Sequence, residues 1–122
     1  MANNPINSID ITGLTFYQSA VANRIDEVKQ ILAMYNGSTS PANGQVIAWT
    51  ACLPIMVPWT HYNGIFYTLH PYVQSCVIEH EMRHQQQVRD QCCYKYSQNR
   101  TNNEIEAYNT ELNCLYRYLH KP

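Results

Sequence analysis

The sequence predicts an α+β domain: a small, mostly antiparallel sheet packed on a central helix, with one helix before it and one after. Three observations carry this. Apolar residues recur at helical spacing near the start, in the middle and at the end of the chain. Two runs rich in β-branched and aromatic residues, Val46–Leu53 and Ile65–Leu69, lie between the first two helical stretches. At 122 residues with 45% hydrophobic content, the chain makes one small domain, able to bury about two-thirds of its unfolded surface.

Residues 1–14 hold turn formers and little to bury, so they read as a loop or a frayed terminus. Thr15-Phe16-Tyr17-Gln18 fits a capping box for the first helix, with the stripe Val21, Ile25, Val28, Ile31, Leu32 and Tyr35. Asn36-Gly37 ends it as a C-cap does. Asp26, Glu27 and Lys29 fall off the stripe, as solvated charge should. Residues 38–45 form a loop of Ser, Pro, Asn and Gly, and Val46–Leu53 follows as a strand. Pro54 and Pro58 make Ile55–Trp59 an edge or a loop rather than a central strand. Tyr62-Asn63-Gly64 is a turn, and Ile65–Leu69 a second strand. Pro71 stands at a helix start before Tyr72–Arg89, a run without Gly or Pro. Tyr96–Asn102 is polar and reads as a surface loop. The closing helix carries the stripe Ile105, Tyr108, Leu112, Leu115 and Leu119.

A net charge of −1 and no basic run argue against nucleic-acid binding. No apolar stretch approaches the roughly 18 residues a membrane span needs, and no signal-peptide pattern is present. Ten tyrosines suggest a surface or cleft rich in amphipathic rings. Five cysteines (Cys52, Cys76, Cys92, Cys93 and Cys114) are an odd number for a disulfide framework. They read as free, mostly buried thiols in a reducing compartment. The alternative is a bridge from Cys92 or Cys93 to Cys114.

The central helix contains His80-Glu81-Met82-Arg83-His84, the H-E-x-x-H pattern. Residues four apart share a helix face, so His80 and His84 can offer two imidazole nitrogens to one Zn²⁺. Glu81 lies about 100° round the helix from His80, where it can take a proton from a water on the metal. Zinc lowers the pKa of such a water towards ~7. The row Cys76, His80, His84 and Val88 forms the inward face; Glu79, Arg83, Gln86 and Arg89 form the solvated one. A catalytic zinc takes a third protein ligand, and Asn103-Glu104-Ile105-Glu106-Ala107-Tyr108 supplies the candidates. If Asn103 caps the last helix, Glu106 completes a capping box; if Thr101 caps it, Glu104 has that role.

These residues resemble the gluzincin group of zinc peptidases, such as the thermolysin-like enzymes. There H-E-x-x-H is followed by a helix whose glutamate, often within N-E-x-x-x-D or E-x-x-A-D, is the third ligand. The resemblance assigns that position to Glu104 and the small residue at the helix contact to Ala107, with Glu106 the rival ligand. Tyr108 stands where the pattern has Asp, and Glu111 could supply the missing carboxylate behind a ligating histidine. It implies a minimal zincin-like fold in which a sheet edge, here Val46–Leu53, aligns an extended peptide over the metal. Tyr62, Tyr67, Tyr108, His61, His70 and His120 are chemically able to stabilise an oxyanion, without one standing out. Gln85 to Gln87 read as helix surface, with one of them a possible cover for the metal site.

The segment Asn3-Asn4-Pro5 with Asp10, Gly13 and Leu14 resembles the end of the Rhs (YD-repeat) core, N-N-P-x-x-x-x-D-P-x-G-L, with Ile11 for its second Pro. In that family an Asp helps cut the chain after the Leu. The resemblance gives Asp10 that role, inactive here without the repeat shell. It divides the chain into a core tail, 1–14, and a payload, 15–122, with Met1-Ala2 an appended start. It implies a polymorphic toxin secreted and delivered into the cytoplasm or periplasm of a neighbouring cell, and a cognate immunity protein. The expected function is a zinc metalloendopeptidase in which His80, His84 and Glu104 hold Zn²⁺ and Glu81 is the base, acting on a target-cell protein. The rivals are a zinc amidase acting on cell wall and a non-catalytic binding module with an inert H-E-x-x-H.

Overall fold

Three long helices carry most of the chain in the computed structural model, which describes residues 16–36, 46–53 and 57–121. The order is α1 (Phe16–Asn36), β1 (Ala48–Cys52), β2 (Pro58–Tyr62), a 3₁₀ turn (Phe66–Thr68), α2 (Pro71–Gln98) and α3 (Arg100–Leu119). The class is α+β, with helices dominating a two-stranded antiparallel sheet. The core-like tail with Asp10, and the loop expected after α1, lie outside the described residues. None of the described helices is long and apolar enough to cross a membrane.

The helices form because their apolar stripes meet. Val21, Ile25 and Val28 of α1 pack with Val73, Cys76 and Val77 of α2 and with Cys114 and Leu115 of α3. Burial of such side chains contributes roughly 1.5–3 kcal/mol each. Helix α2 starts as its sequence suggests: Pro71 occupies the first turn, and the His70 ring accepts from the Tyr72 N–H at 3.1 Å.

Several boundaries differ from expectation. The second strand is Pro58–Tyr62, not Ile65–Leu69. In a two-stranded sheet both strands are edges, and a proline at the first residue of an edge strand costs no ladder bond. The Asn63 side-chain oxygen accepts from the Ile65 and Phe66 N–H groups at 3.1 and 3.4 Å. That local turn tightens residues 66–68 into a 3₁₀ turn and drops Phe66 into the core. The polar stretch 96–102 is helical too, with only Asn99 between α2 and α3. Asn99 is the N-cap of α3, so neither Thr101 nor Asn103 caps it and Glu106 forms no capping box. Asn103 instead exchanges two amide hydrogen bonds with Gln91 of α2, at 2.9 and 3.1 Å. Polarity here serves the helix–helix junction, which a loop assignment overlooks.

Four of the cysteines are paired rather than free thiols, and the alternative bridge from Cys92 or Cys93 to Cys114 is not the one formed. Cys76 pairs with Cys114, and Cys52 with Cys93. Cys76 lies on the inward row of α2 and Cys114 on the facing row of α3. Their Cα atoms stand 5.4 Å apart, a spacing disulfides use. The second bridge ties the end of β1 to α2.

The hairpin lies across α2. Its register pairs Thr50 with Thr60. Backbone bonds from Asn63 to Ile47 and from Leu53 to Val57 mark the odd-numbered residues of β1 as the hydrogen-bonded pairs. By the alternation of antiparallel ladders, Thr50 is a non-hydrogen-bonded position, with its side chain close to that of Thr60 and its backbone turned to the edge of β1 away from β2.

Candidate metal centre

The α2 face built by Cys76, His80, His84 and Val88 is buried throughout, and His80 and His84 are each 5% exposed. Helix α3 lies against it, with Ala107 fully buried at the contact. Three donor atoms meet there. The Nε2 atoms of His80 and His84 are 3.2 Å apart. Glu104 Oε1 touches His84 Nε2 and stands 3.5 Å from His80 Nε2. Two nitrogens bound to one tetrahedral zinc at 2.0–2.1 Å would stand roughly 3.3 Å apart, so the pair is spaced for one ion.

The other ring nitrogens are already engaged. His80 Nδ1 lies 3.0 Å from Glu111 Oε1, and His84 Nδ1 lies 2.8 Å from Gln87 Oε1. The Gln87 amide nitrogen donates to Asn103 O at 3.0 Å and to Glu106 Oε1 at 2.8 Å, which fixes the orientation of that amide. Both Nδ1 atoms are therefore donors, and in neutral rings both Nε2 atoms carry lone pairs. Two lone pairs beside a carboxylate call for a cation between them. These residues fit a zinc ion.

Without metal, a proton answers that demand. Burial pushes His80 towards its neutral form, but the carboxylates of Glu104 and Glu111 outweigh it and bring its pKa up to about 9. Glu104 moves the opposite way. Burial would raise it, yet hydrogen bonds from His80 and His84 hold it well below the usual carboxylate range. Glu111 is fully buried and also lowered: burial opposes its charge, while His80 and Arg24 favour it. Arg24 of α1 donates to Glu111 from Nε at 2.6 Å and from Nη2 at 3.2 Å. A buried chain, Arg24–Glu111–His80, thus links all three helices.

Glu81 is 3% exposed and stands beside the donor atoms. Its Oε2 lies 3.6 Å from His80 Nε2, and its Oε1 accepts from Thr50 Oγ1 at 2.9 Å. Burial raises its pKa, with His80, His84 and the Thr50 hydrogen bond pulling against that. His80, Glu81 and His84 could all reach one ion, since their ligand atoms lie within 4.8 Å of one another. Glu104 is nonetheless the better third donor. Its oxygen is closest to both imidazoles, whereas Glu81 is anchored from the other side by the strand.

These groups line a cavity of about 620 Å³, with β1 along one wall and Tyr35, Tyr96, Arg100 and Tyr108 also facing it. The Tyr35 hydroxyl is 3.4 Å from Glu104 Oε2, and the Tyr96 hydroxyl is 3.4 Å from the Thr50 carbonyl. Of the six oxyanion donors considered from sequence, Tyr108 alone lines this cavity. His120 stacks on Tyr116 and His70 caps α2. Glu106 faces Arg83 and Gln87 instead of the donor cluster.

Sequence reasoning missed Arg24, Thr50, Thr60 and the buried role of Gln87. Arg24 had a visible signal: position 24 sits within the apolar stripe of Val21, Ile25 and Val28. The threonines had none, since their meeting with Glu81 depends on where the hairpin lands. Comparison with protein-family models, with curated proteins and with solved structures finds no match for this chain.

Proposed function

We propose that the protein is a zinc-dependent metalloendopeptidase with a minimal zincin-like arrangement, the toxin payload of an Rhs-type effector. One observation carries the enzymatic reading: His80 Nε2, His84 Nε2 and Glu104 Oε1 converge at one point with the Glu81 carboxylate beside it. His80, His84 and Glu104 would hold the zinc, which when bound supplies a Lewis acid for a carbonyl and lowers the pKa of a water towards ~7. Glu111 and Gln87 orient the two imidazoles, and Tyr35 steadies Glu104.

The chain's own part in the reaction is proton movement and alignment. Glu81 accepts a proton from the attacking water as the new C–O bond forms. It delivers that proton to the leaving nitrogen as the C–N bond breaks. β1 borders the cavity, and among the described residues no strand pairs with its edge away from β2, so an extended peptide could add to it as a strand, its main chain aligned beside Glu81. The two disulfides favour action in an oxidising compartment of the target cell rather than in reducing cytosol. Residues 1–14 support the effector reading by their resemblance to the end of an Rhs core, which also implies a cognate immunity protein.

The test is digestion of a proteome-derived peptide library, with new termini identified by mass spectrometry and zinc measured in the same sample. Glu81→Gln should keep one zinc per chain and lose cleavage. A Glu81→Gln protein as active as the wild type would remove the peptidase reading. Cleavage confined to peptidoglycan would replace it with a cell-wall amidase.

A further inference from the structure

The mechanism asks Glu81 to hold one carboxylate oxygen towards the reacting water, yet nothing in the H-E-x-x-H spacing sets how its side chain is turned. The structure offers a device that does. Gln85 Nε2 lies 2.9 Å from Thr60 Oγ1, Thr60 Oγ1 lies 2.6 Å from Thr50 Oγ1, and Thr50 Oγ1 lies 2.9 Å from Glu81 Oε1. The circuit leaves α2 at Gln85, crosses both strands and returns to α2 one turn earlier.

Its direction follows from proton counting. An ionised Glu81 only accepts, so Thr50 gives it the single hydroxyl proton it has. Thr60 must then donate to Thr50, and the Gln85 amide donates to Thr60. Every link has one donor and one acceptor, which leaves no ambiguity about which way each hydroxyl points. With Oε1 anchored in this way, Oε2 is the oxygen turned towards His80 and the donor cluster. Two features hold the circuit in place. Thr50 and Thr60 are directly opposed in the register, at a non-hydrogen-bonded position where side chains approach most closely. Two residues along β1, Cys52 is tied to Cys93 of α2.

We propose that Thr50 is a positioning residue for the general base, and that the hairpin serves as an arm aiming the Glu81 carboxylate at the attacking water. This rests on the reading of Glu81 as the base. It goes beyond that reading by placing a determinant of turnover on the strand rather than on either donor-bearing helix. Thr50 would touch neither metal nor the scissile bond, and would act only through Glu81.

The experiment compares Thr50→Val, Thr50→Ser and Glu81→Gln on the library peptide that the wild type cuts fastest, with kcat, KM, zinc content and melting temperature measured. Thr50→Val keeps the side chain's shape and removes its proton. It should lower kcat by about 10–100-fold, the usual cost of losing a partner that orients a reactive group, with KM and zinc content unchanged. Thr50→Ser should keep most of the turnover. A Thr50→Val protein with wild-type kcat overturns the inference while leaving the peptidase reading intact. If Thr50→Val loses zinc or fails to fold, Thr60→Val decides the matter, because it leaves Thr50 beside Glu81 and breaks only the next link. A fall in its kcat at constant KM supports the arm, and unchanged kcat sinks it. Activity in Glu81→Gln is a separate failure, that of the peptidase reading itself.

Discussion

The α2–α3 pair and the β1–β2 hairpin, the latter through β1, border the same cavity but are built on different principles. The helical pair is buried along its contact, bridged by Cys76–Cys114 and stitched by amide–amide hydrogen bonds between Gln91 and Asn103. It carries all three candidate metal donors. The hairpin is a two-stranded ribbon whose outer face is open, with Trp49 43% and Trp59 44% exposed and packed edge to face. Isolated ribbons of this size are marginal in water, so this one depends on α2 and the Cys52–Cys93 bridge. Placement of the candidate donors thus comes from helix spacing, whereas the contact that turns Glu81 comes from a strand distant in sequence.

That contrast breaks most completely at the donors. His84→Ala or Glu104→Ala should abolish metal binding and with it all cleavage, as bound-metal analysis and the peptide assay would report. Full zinc in Glu104→Ala would move the third donor elsewhere. Next comes Arg24→Met, which leaves the Glu111 carboxylate buried without its partner. Breaking such a pair costs about 3–5 kcal/mol, measurable by denaturant unfolding, and a loss below ~1 kcal/mol would mean that water or His80 compensates.

The two disulfides sharpen the comparison because their entropic worth is nearly equal. They span 41 and 38 residues, and loop closure predicts about 4 kcal/mol for either. Replacing Cys76 and Cys114 together by serine should weaken zinc binding. Replacing Cys52 and Cys93 together should spare zinc and reduce kcat. Identical functional consequences for the two pairs would erase the distinction drawn between clasp and arm.

The smallest effect belongs to pH, in the metal-free domain. The folded-state pKa of His80, about 9, lies above its ordinary value of 6.5. The folded state therefore binds that proton more tightly than the unfolded chain does. Its stabilising contribution is complete below pH 6.5 and fades as pH rises through 9, by up to ~1.4 kcal/mol per unit. Denaturant titrations of chelator-treated protein across that window would show the fall. Zinc should reverse the trend, since it competes with the proton for His80.

How much of this was legible follows the same division. The α2 stripe, the H-E-x-x-H face and the place of Glu104 and Glu111 on a following helix all come from spacing along single helices, and the three helices lie where apolar period put them. Failures cluster where partners are distant in sequence. Pro58 looked like a strand breaker because pairing with β1 could not be seen. Ile65–Leu69 looked like a strand because β-branched and aromatic residues fit either state until Asn63 folds its side chain back on the chain. Cys52 gave no hint of Cys93 because the two lie 41 positions apart, with the whole of β2 between them. Thr50 looked like an ordinary strand threonine.

Only Asn99 separates the histidine-bearing helix from the glutamate-bearing one. The twenty residues from His84 to Glu104 therefore behave as a rigid ruler with almost no slack. One residue gained or lost near the bend would swing the glutamate by roughly 100° about its axis and take it away from the two imidazoles. For a chain of this kind the interval belongs to the signature as much as the letters at either end, and a descendant could drift widely in composition while its length between those two points stayed put.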